Sequence, residues 1–191
     1  MADNSKTFVI RKLELTDIPM LKVFCSKCKD LGYKNNENFS ALKLDKIVMP
    51  YGQYFIAVKD DEIFSLAGVH RFEEVSNNAW RCLFRGAQLP GHTPKWSMNI
   101  FNSGIHFTYF LYEQIKFIQS FDTTAEFYIS TNLNSDTGAK SHRMNNIMMP
   151  RIAKLGVWHL FKENVLIYNV PQNLWKVDVE TYLRLRNQYF E

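Results

Sequence analysis

The order of elements along the chain predicts a mixed α/β domain, with one central, mostly antiparallel sheet and helices on both of its faces. Three observations carry that prediction. Strand-like runs and helical periodicities alternate along the chain and do not segregate into blocks. Three consecutive strands in its middle are joined by short polar turns, which makes them antiparallel neighbours. Hydrophobic residues make up 46% of 191, enough for one full core, and no linker, repeat or low-complexity stretch divides it, so residues 1–191 read as a single domain.

After a polar tail, Thr7 to Leu13 (TFVIRKL) reads as the first strand. Thr16 then offers an N-cap oxygen, Pro19 suits a first helical turn, and Leu21, Phe24, Cys25, Cys28 and Leu31 recur at helical spacing until Gly32 ends the helix. Tyr33 to Pro50 combines polar KNNEN with FSALKLDKIVM, which reads either as a second short helix or as a flap. Tyr54 to Lys59 and Ile63 to Phe72 are strands joined at Asp60-Asp61-Glu62, and Ser76-Asn77-Asn78 turns the chain into a strand from Trp80 to Leu89, stopped by Pro90-Gly91.

A helix from about Ser97 to Ser120 places Phe101, Ile105, Leu111, Tyr112, Ile115 and Ile118 on one face, with Phe107, Phe110 and Phe117 beside it, a pattern for burial against the sheet. Ala125 to Ser130 (AEFYIS) is the fifth strand, and Thr131 to Lys140 is a polar loop. Ser141 to Leu155 reads as a helix ended by Gly156 and kinked or shortened by Pro150. Val157 to Phe161 and Val165 to Asn169 read as a hairpin around Lys162-Glu163-Asn164, and VDVETYLRLRNQYF as a closing helix capped by Asp178.

The formal net charge of +4 arises from 23 basic and 19 acidic residues that are interspersed. Mild basicity favours an anionic ligand, while the missing basic stripe argues against a dedicated nucleic-acid binder. Cys25 and Cys28 form a CxxC, but Cys82 is the only other cysteine, so the pair reads as two small apolar positions on one helix face and no metal site is expected. Unpaired thiols suit a reducing compartment. MADNSKTFVI has no apolar signal core, and no run approaches the roughly twenty apolar residues of a membrane span, so a soluble cytoplasmic protein without a membrane partner is expected.

The same order, with LELTDIPMLKVF after the first strand, RCLFRGAQLP before the central helix and RIAKLGVW near the C-terminus, resembles the GCN5-related N-acetyltransferase (GNAT) superfamily over nearly the whole chain. The resemblance implies a sheet whose fourth strand ends at a bulge and splays from the fifth. The pantetheine arm of an acyl-coenzyme A enters that cleft like an added strand, and its pyrophosphate meets the N-terminus of the next helix. Leu83 to Leu89 would be the splayed strand and Ala125 to Ser130 its neighbour. The family's arginine-glycine-x-glycine turn is absent: Gly91-His92-Thr93-Pro94-Lys95 follows Pro90, and Arg85-Gly86 comes too early.

By this resemblance the chain is a divergent GNAT member, an N-acyltransferase that moves an acyl group, acetyl above all, from acetyl-CoA or another acyl-CoA to a small-molecule or peptide amine by direct attack. No acyl-enzyme is expected, since the cysteines lack a histidine-based activation pattern. Ala87, Gln88 and Leu89 would meet the cofactor arm, with the amide near Gln88 or Leu89 facing the oxyanion. Gly91, His92 and Lys95 would meet the phosphates, and Asn132 the arm from the other side. His70 and Glu73, near the expected cleft mouth, are candidate bases. The helix from Ser141 lacks the family's tyrosine acid, which leaves Ser141 and His142 in its place, and Arg143 is a candidate for an anionic substrate. Two alternatives stay open: a non-catalytic protein of the same fold that binds a ligand or partner, and a nucleic-acid-associated protein using scattered Lys, Arg and aromatic residues.

Overall fold

A computed structural model of the chain describes residues 8–30, 52–89, 109–133 and 144–190. In chain order the elements are β1 (Val9–Lys12), α1 (Ile18–Asp30), β2 (Gly52–Lys59), β3 (Glu62–Arg71), β4 (Ala79–Gln88), α2 (Leu111–Gln119), β5 (Glu126–Asn132), α3 (Met149–Lys154), β6 (Trp158–Ile167), β7 (Val170–Val177) and α4 (Val179–Phe190). Among the described residues, seven strands form one sheet in the order β1-β2-β3-β4-β5-β7-β6. Every neighbouring pair is antiparallel except β4 and β5, which run parallel. The mixed, mostly antiparallel sheet expected from the sequence is therefore present.

The central meander forms for the local reasons the sequence carries. Asp60 and Asp61 take φ of 51° and 57°, the left-handed pair that closes a two-residue hairpin between β2 and β3. Asp178 caps α4 by accepting the Thr181 N–H at 2.8 Å, as its position implied. At the other end, α1 starts differently from the expected Thr16 cap. A 3-10 turn over Leu15–Asp17 precedes it, and Asp17 folds back to accept the Glu14 N–H at 2.9 Å. Arg11 holds that carboxylate with two bonds of 2.6 Å, which outcompete a lone hydroxyl for the position.

The last hairpin is longer than expected and turns elsewhere. β6 continues through Lys162-Glu163-Asn164 without reversing, and the reversal comes at Tyr168 and Asn169, with φ of 51° and 60°. Lys162, Glu163 and Asn164 are exposed because β6 is an edge strand, so their polarity reflects water and not a turn. Asn164 sits at a register irregularity with φ of 49°. β7, which the sequence patterning left unassigned, contains Pro171 near its start, and the Pro171 carbonyl still accepts the Leu133 N–H at 2.9 Å. The helix expected from Ser141 is described from Met144, as a π-helical segment to Met148 followed by α3. Pro150 lies in the first turn of α3, where the π-helical segment gives way to the α-helix.

Leu21, Phe24 and Cys28 of α1, Leu111, Ile115 and Ile118 of α2, and Met149 and Ile152 of α3 join the sheet in one hydrophobic core. Strand alternation puts Phe55 and Trp80 on the sheet face that meets Phe117 and Phe121, with ring centroids 5.8 and 5.9 Å apart respectively. On the opposite face Phe72, Ala79, Tyr128, Ile167 and Leu174 make a smaller cluster, and the same alternation places His70, Arg81, Ser130 and Gln172 beside it. No helix among the described residues is long and apolar enough to cross a membrane.

Candidate functional site

β4 and β5 share only three rungs, Ala79↔Glu126, Trp80↔Phe127 and Arg81↔Tyr128. Beyond them β4 continues to Gln88 on β3, and β5 continues to Asn132 on β7. The two strands part in the middle of the sheet, leaving a fork whose inner edges carry main-chain polar groups. Two irregularities drive the parting. Between the pairs His70↔Arg81 and Gly68↔Phe84, and again between Gly68↔Phe84 and Leu66↔Ala87, β4 spends one residue more than β3. Within the first, Leu83 takes φ of 57°, a conformation costly for a residue with a branched side chain.

Gln114 of α2 fastens that bulge. Its Oε1 accepts the Leu83 N–H at 3.1 Å, and the residue is fully buried. Its Nε2 is buried without a hydrogen-bond partner, so the carboxamide serves the strand and nothing else.

Hydrogen-bond direction decides which groups line the fork. The Leu89 N–H donates to the Phe64 carbonyl at 2.9 Å, and the Ala87 carbonyl accepts from Ser65 Oγ at 2.8 Å, so both residues turn their main chain toward β3. Alternation turns the Gln88 N–H the opposite way, into the fork. On the other prong the Leu133 N–H bonds the Pro171 carbonyl, which turns the polar groups of Asn132 and Ser130 into the fork. Asn145, ahead of α3, donates to the Asn132 carbonyl at 2.8 Å and accepts from Thr131 Oγ1 at 2.5 Å. Trp175 Nε1 donates to the same Thr131 oxygen at 3.0 Å, so the tip of β5 is fixed from two sides.

At the root of the fork His70 stands across from Arg81. The His70 ring lies 4.4 Å from that of Phe84, and its Nδ1–H donates to the Arg71 carbonyl. That bond leaves Nε2 as the lone-pair nitrogen of the neutral ring. Glu73 is exposed in the turn after β3 and is not drawn into this group. Tyr128, at the last rung, donates its hydroxyl to Glu126 at 2.8 Å, and burial together with that carboxylate pushes its pKa up. Cys25 and Cys28 share the inner side of α1, where burial raises both thiols, that of Cys28 to about 11.

Of the residues singled out in the sequence, the structure brings His70, Gln88 and Asn132 to the fork and turns the main chain of Ala87 and Leu89 away from it. Gly91, His92, Lys95, Ser141, His142 and Arg143 lie outside the described residues. Arg81, Gln114, Ser130, Asn145 and Gln172 were not foreseen. A charged residue inside the otherwise apolar run WRCLF was the one available signal, pointing to Arg81.

No family model and no curated protein matches the sequence. Solved structures match its fold. A putative acetyltransferase of the GNAT family from Desulfovibrio desulfuricans aligns over 91% of this chain and 99% of its own, with a TM-score of 0.59 and 11% identity. The PaiA N-acetyltransferase from Thermoplasma acidophilum, solved with coenzyme A, aligns over 89% and 99%, with a TM-score of 0.57 and 14% identity. NAA60 from Arabidopsis thaliana, solved with acetyl-CoA, aligns over 89% and 97%, with a TM-score of 0.53 and 12% identity. A sheet that forks between its one parallel pair, over nearly the full length of such structures, is the GNAT acetyltransferase fold.

Proposed function

We propose that the chain is an acyl-CoA-dependent N-acyltransferase, most simply an N-acetyltransferase, acting on an amine by direct attack. The observation that carries this is the fork: β4 and β5 share three rungs and then part inside a buried sheet, with the Gln88 main chain turned away from β3, a shape suited to an extended, amide-bearing ligand. The pantetheine arm of coenzyme A has that shape and those amides, and two of the structures that share the fold hold coenzyme A or acetyl-CoA. The residues present fit the group.

When bound, acyl-CoA would supply an acyl group activated as a thioester. The chain's own residues hold and deprotonate. Gln88 donates its amide along the β4 edge, with Asn132 on the facing prong. Ala87 and Leu89 shape that edge while their main chain stays on β3. Gly91, His92 and Lys95, which follow β4 in the sequence, take the phosphates. His70 Nε2 takes the proton from the acceptor's ammonium, so that the neutral amine attacks the thioester, Nδ1 being occupied by the Arg71 carbonyl. Glu73 is the alternative base, reached through water, and Ser141 and His142 are the candidates for protonating the departing thiolate. Arg143 is left to orient the acceptor.

Calorimetric titration with acetyl-CoA tests the proposal, with binding in the micromolar range expected. Absence of binding at millimolar concentration would sink it. Binding without amine-dependent thiol release across a broad amine panel would instead favour the non-catalytic alternative. His70→Gln is expected to lower kcat about 10²-fold or more while leaving acetyl-CoA affinity in place.

A further inference from the structure

We propose that Arg81 is an anion subsite at the root of the fork and that the group it takes is the carboxylate of an amino-acid-like acceptor. The identity of the acceptor rests on the acyltransferase function proposed above, whereas the anion site itself does not.

Arg81 is the last residue of β4 to pair with β5, so its side chain stands where the strands separate. It lies across β5 toward β7, with Nη2 donating to Ser130 Oγ and, at 3.0 Å, to Gln172 Oε1. Both partners are neutral. Among the described residues no carboxylate comes within ion-pair distance of this guanidinium, and Nη1 is buried with no hydrogen-bond partner. Burial pulls its pKa down, while the charges of Tyr168 and of the exposed Glu74 and a hydrogen bond with Tyr168 push it back up.

A part-buried cation with no carboxylate within ion-pair distance is costly, because the hydration it loses is not repaid by a direct opposite charge. A purely structural tie between β4 and β7 has no need of that charge. Glutamine would make neutral bonds to Ser130 and Gln172, and methionine would fill the space. A guanidinium, in contrast, presents a planar edge matched to the two oxygens of a carboxylate.

Aromatic rings flank that edge. The rings of Phe72, Phe84 and Tyr168 stand 5.7, 5.3 and 5.8 Å from the Arg81 guanidinium carbon. Phe72 is buried in the sheet, but Tyr168 is 60% exposed on the two-residue turn between β6 and β7. It is the wall that lies outside the core, on the solvent side. His70 is the direct cross-strand neighbour of Arg81. Such neighbours hold their Cβ atoms about 5 Å apart. A molecule whose carboxylate meets Arg81 therefore brings an amine a few bonds away beside His70.

The test compares 4-aminobutyrate with 4-aminobutanamide, which differ only in the carboxylate, by calorimetric titration with and without acetyl-CoA. The acid is expected to bind at least about tenfold tighter than the amide, and Arg81→Met to reduce the preference to less than about twofold. Equal binding of acid and amide, or a preference that survives Arg81→Met, would overturn the subsite. Inorganic phosphate that displaces the acid at equal concentration would overturn the amino-acid assignment. Should Arg81→Met not fold, Tyr168→Ala on the exposed turn carries the test. It is expected to raise the on-rate of the acid several-fold and leave that of the amide unchanged, and no change for the acid would count against the site. Failure of acetyl-CoA to bind would refute the acyltransferase function alone, since the acid and amide are also compared without it.

Discussion

The two ends of β4 obey different rules. At its start Trp80 is fully buried, its Nε1 donates to Asp122 at 3.1 Å, and the Arg71 guanidinium stacks 4.3 Å over its ring while reaching the same carboxylate at 3.5 Å. The rungs to β5 are locked there by side chains. A few residues later the strand has slipped register twice, Leu83 stands at positive φ, and a single carboxamide from α2 holds its amide. One strand is thus closed by packing at one end and opened by bulges at the other. The difference teaches that the fork is built into the register of β4, and not left by a missing neighbour.

Four substitutions test that contrast, in decreasing order of expected effect. Trp80→Ala removes the keystone of the closed end and is expected to cost about 3–5 kcal/mol, seen as a lower urea midpoint with unchanged slope. A loss of under about 1 kcal/mol would mean that the rungs hold without it.

Asp122→Asn leaves the shape but weakens the bonds to Trp80 and Arg71, at a cost of about 2 kcal/mol at pH 7. Burial alone would raise the Asp122 carboxyl, but bonds from Trp80 and Thr124 and the charge of Arg71 hold it below the usual range. A depressed folded pKa adds stability above the unfolded value, near 4, and that stability disappears as pH falls through the folded value. Urea midpoints of the native protein and Asp122→Asn are therefore expected to converge as pH falls below about 4. Parallel curves across that range would break the assignment.

Gln114→Met keeps the volume and leaves the Leu83 N–H unpaired, for about 1.5 kcal/mol. The open end is expected to show a second effect that the closed end lacks, a fall in acetyl-CoA affinity beyond what the stability loss explains. Unchanged affinity would mean that the bulge keeps its shape without α2. Gly156→Ala lies outside both ends. Gly156 takes φ of 73° after α3, and an added Cβ would meet only Thr181 Cγ2 at 3.8 Å, so the cost is conformational, about 1 kcal/mol, with acetyl-CoA affinity unaffected.

Much of the fold was legible because the forces that write it are local. The Asp60-Asp61 hairpin, the buried stripe of Leu21, Phe24 and Cys28, and the Asp178 cap all depend on residues a few positions apart. The misplaced turn in the last hairpin has a physical cause: polar residues on an exposed edge strand look like a turn until the edge is known. The candidate site was less legible. His70, Gln88 and Asn132 were named from family resemblance, but whether an amide faces the fork or β3 depends on register, and so Leu89 and Ala87 could not be told from Gln88.

By itself the sequence determined the element order, the antiparallel meander and the pairing of an aromatic-rich helix with the sheet, since periodicity and turn chemistry act over a few residues. Only the tertiary structure decided where β4 leaves β5 and which groups sit at that point. Leu83 meets Gln114 from 31 residues away, and Arg81 meets Ser130 and Gln172 from 49 and 91. Contacts at such separations form only once the sheet has closed around them, because the entropy of bringing those segments together is met by the whole core and by no local signal.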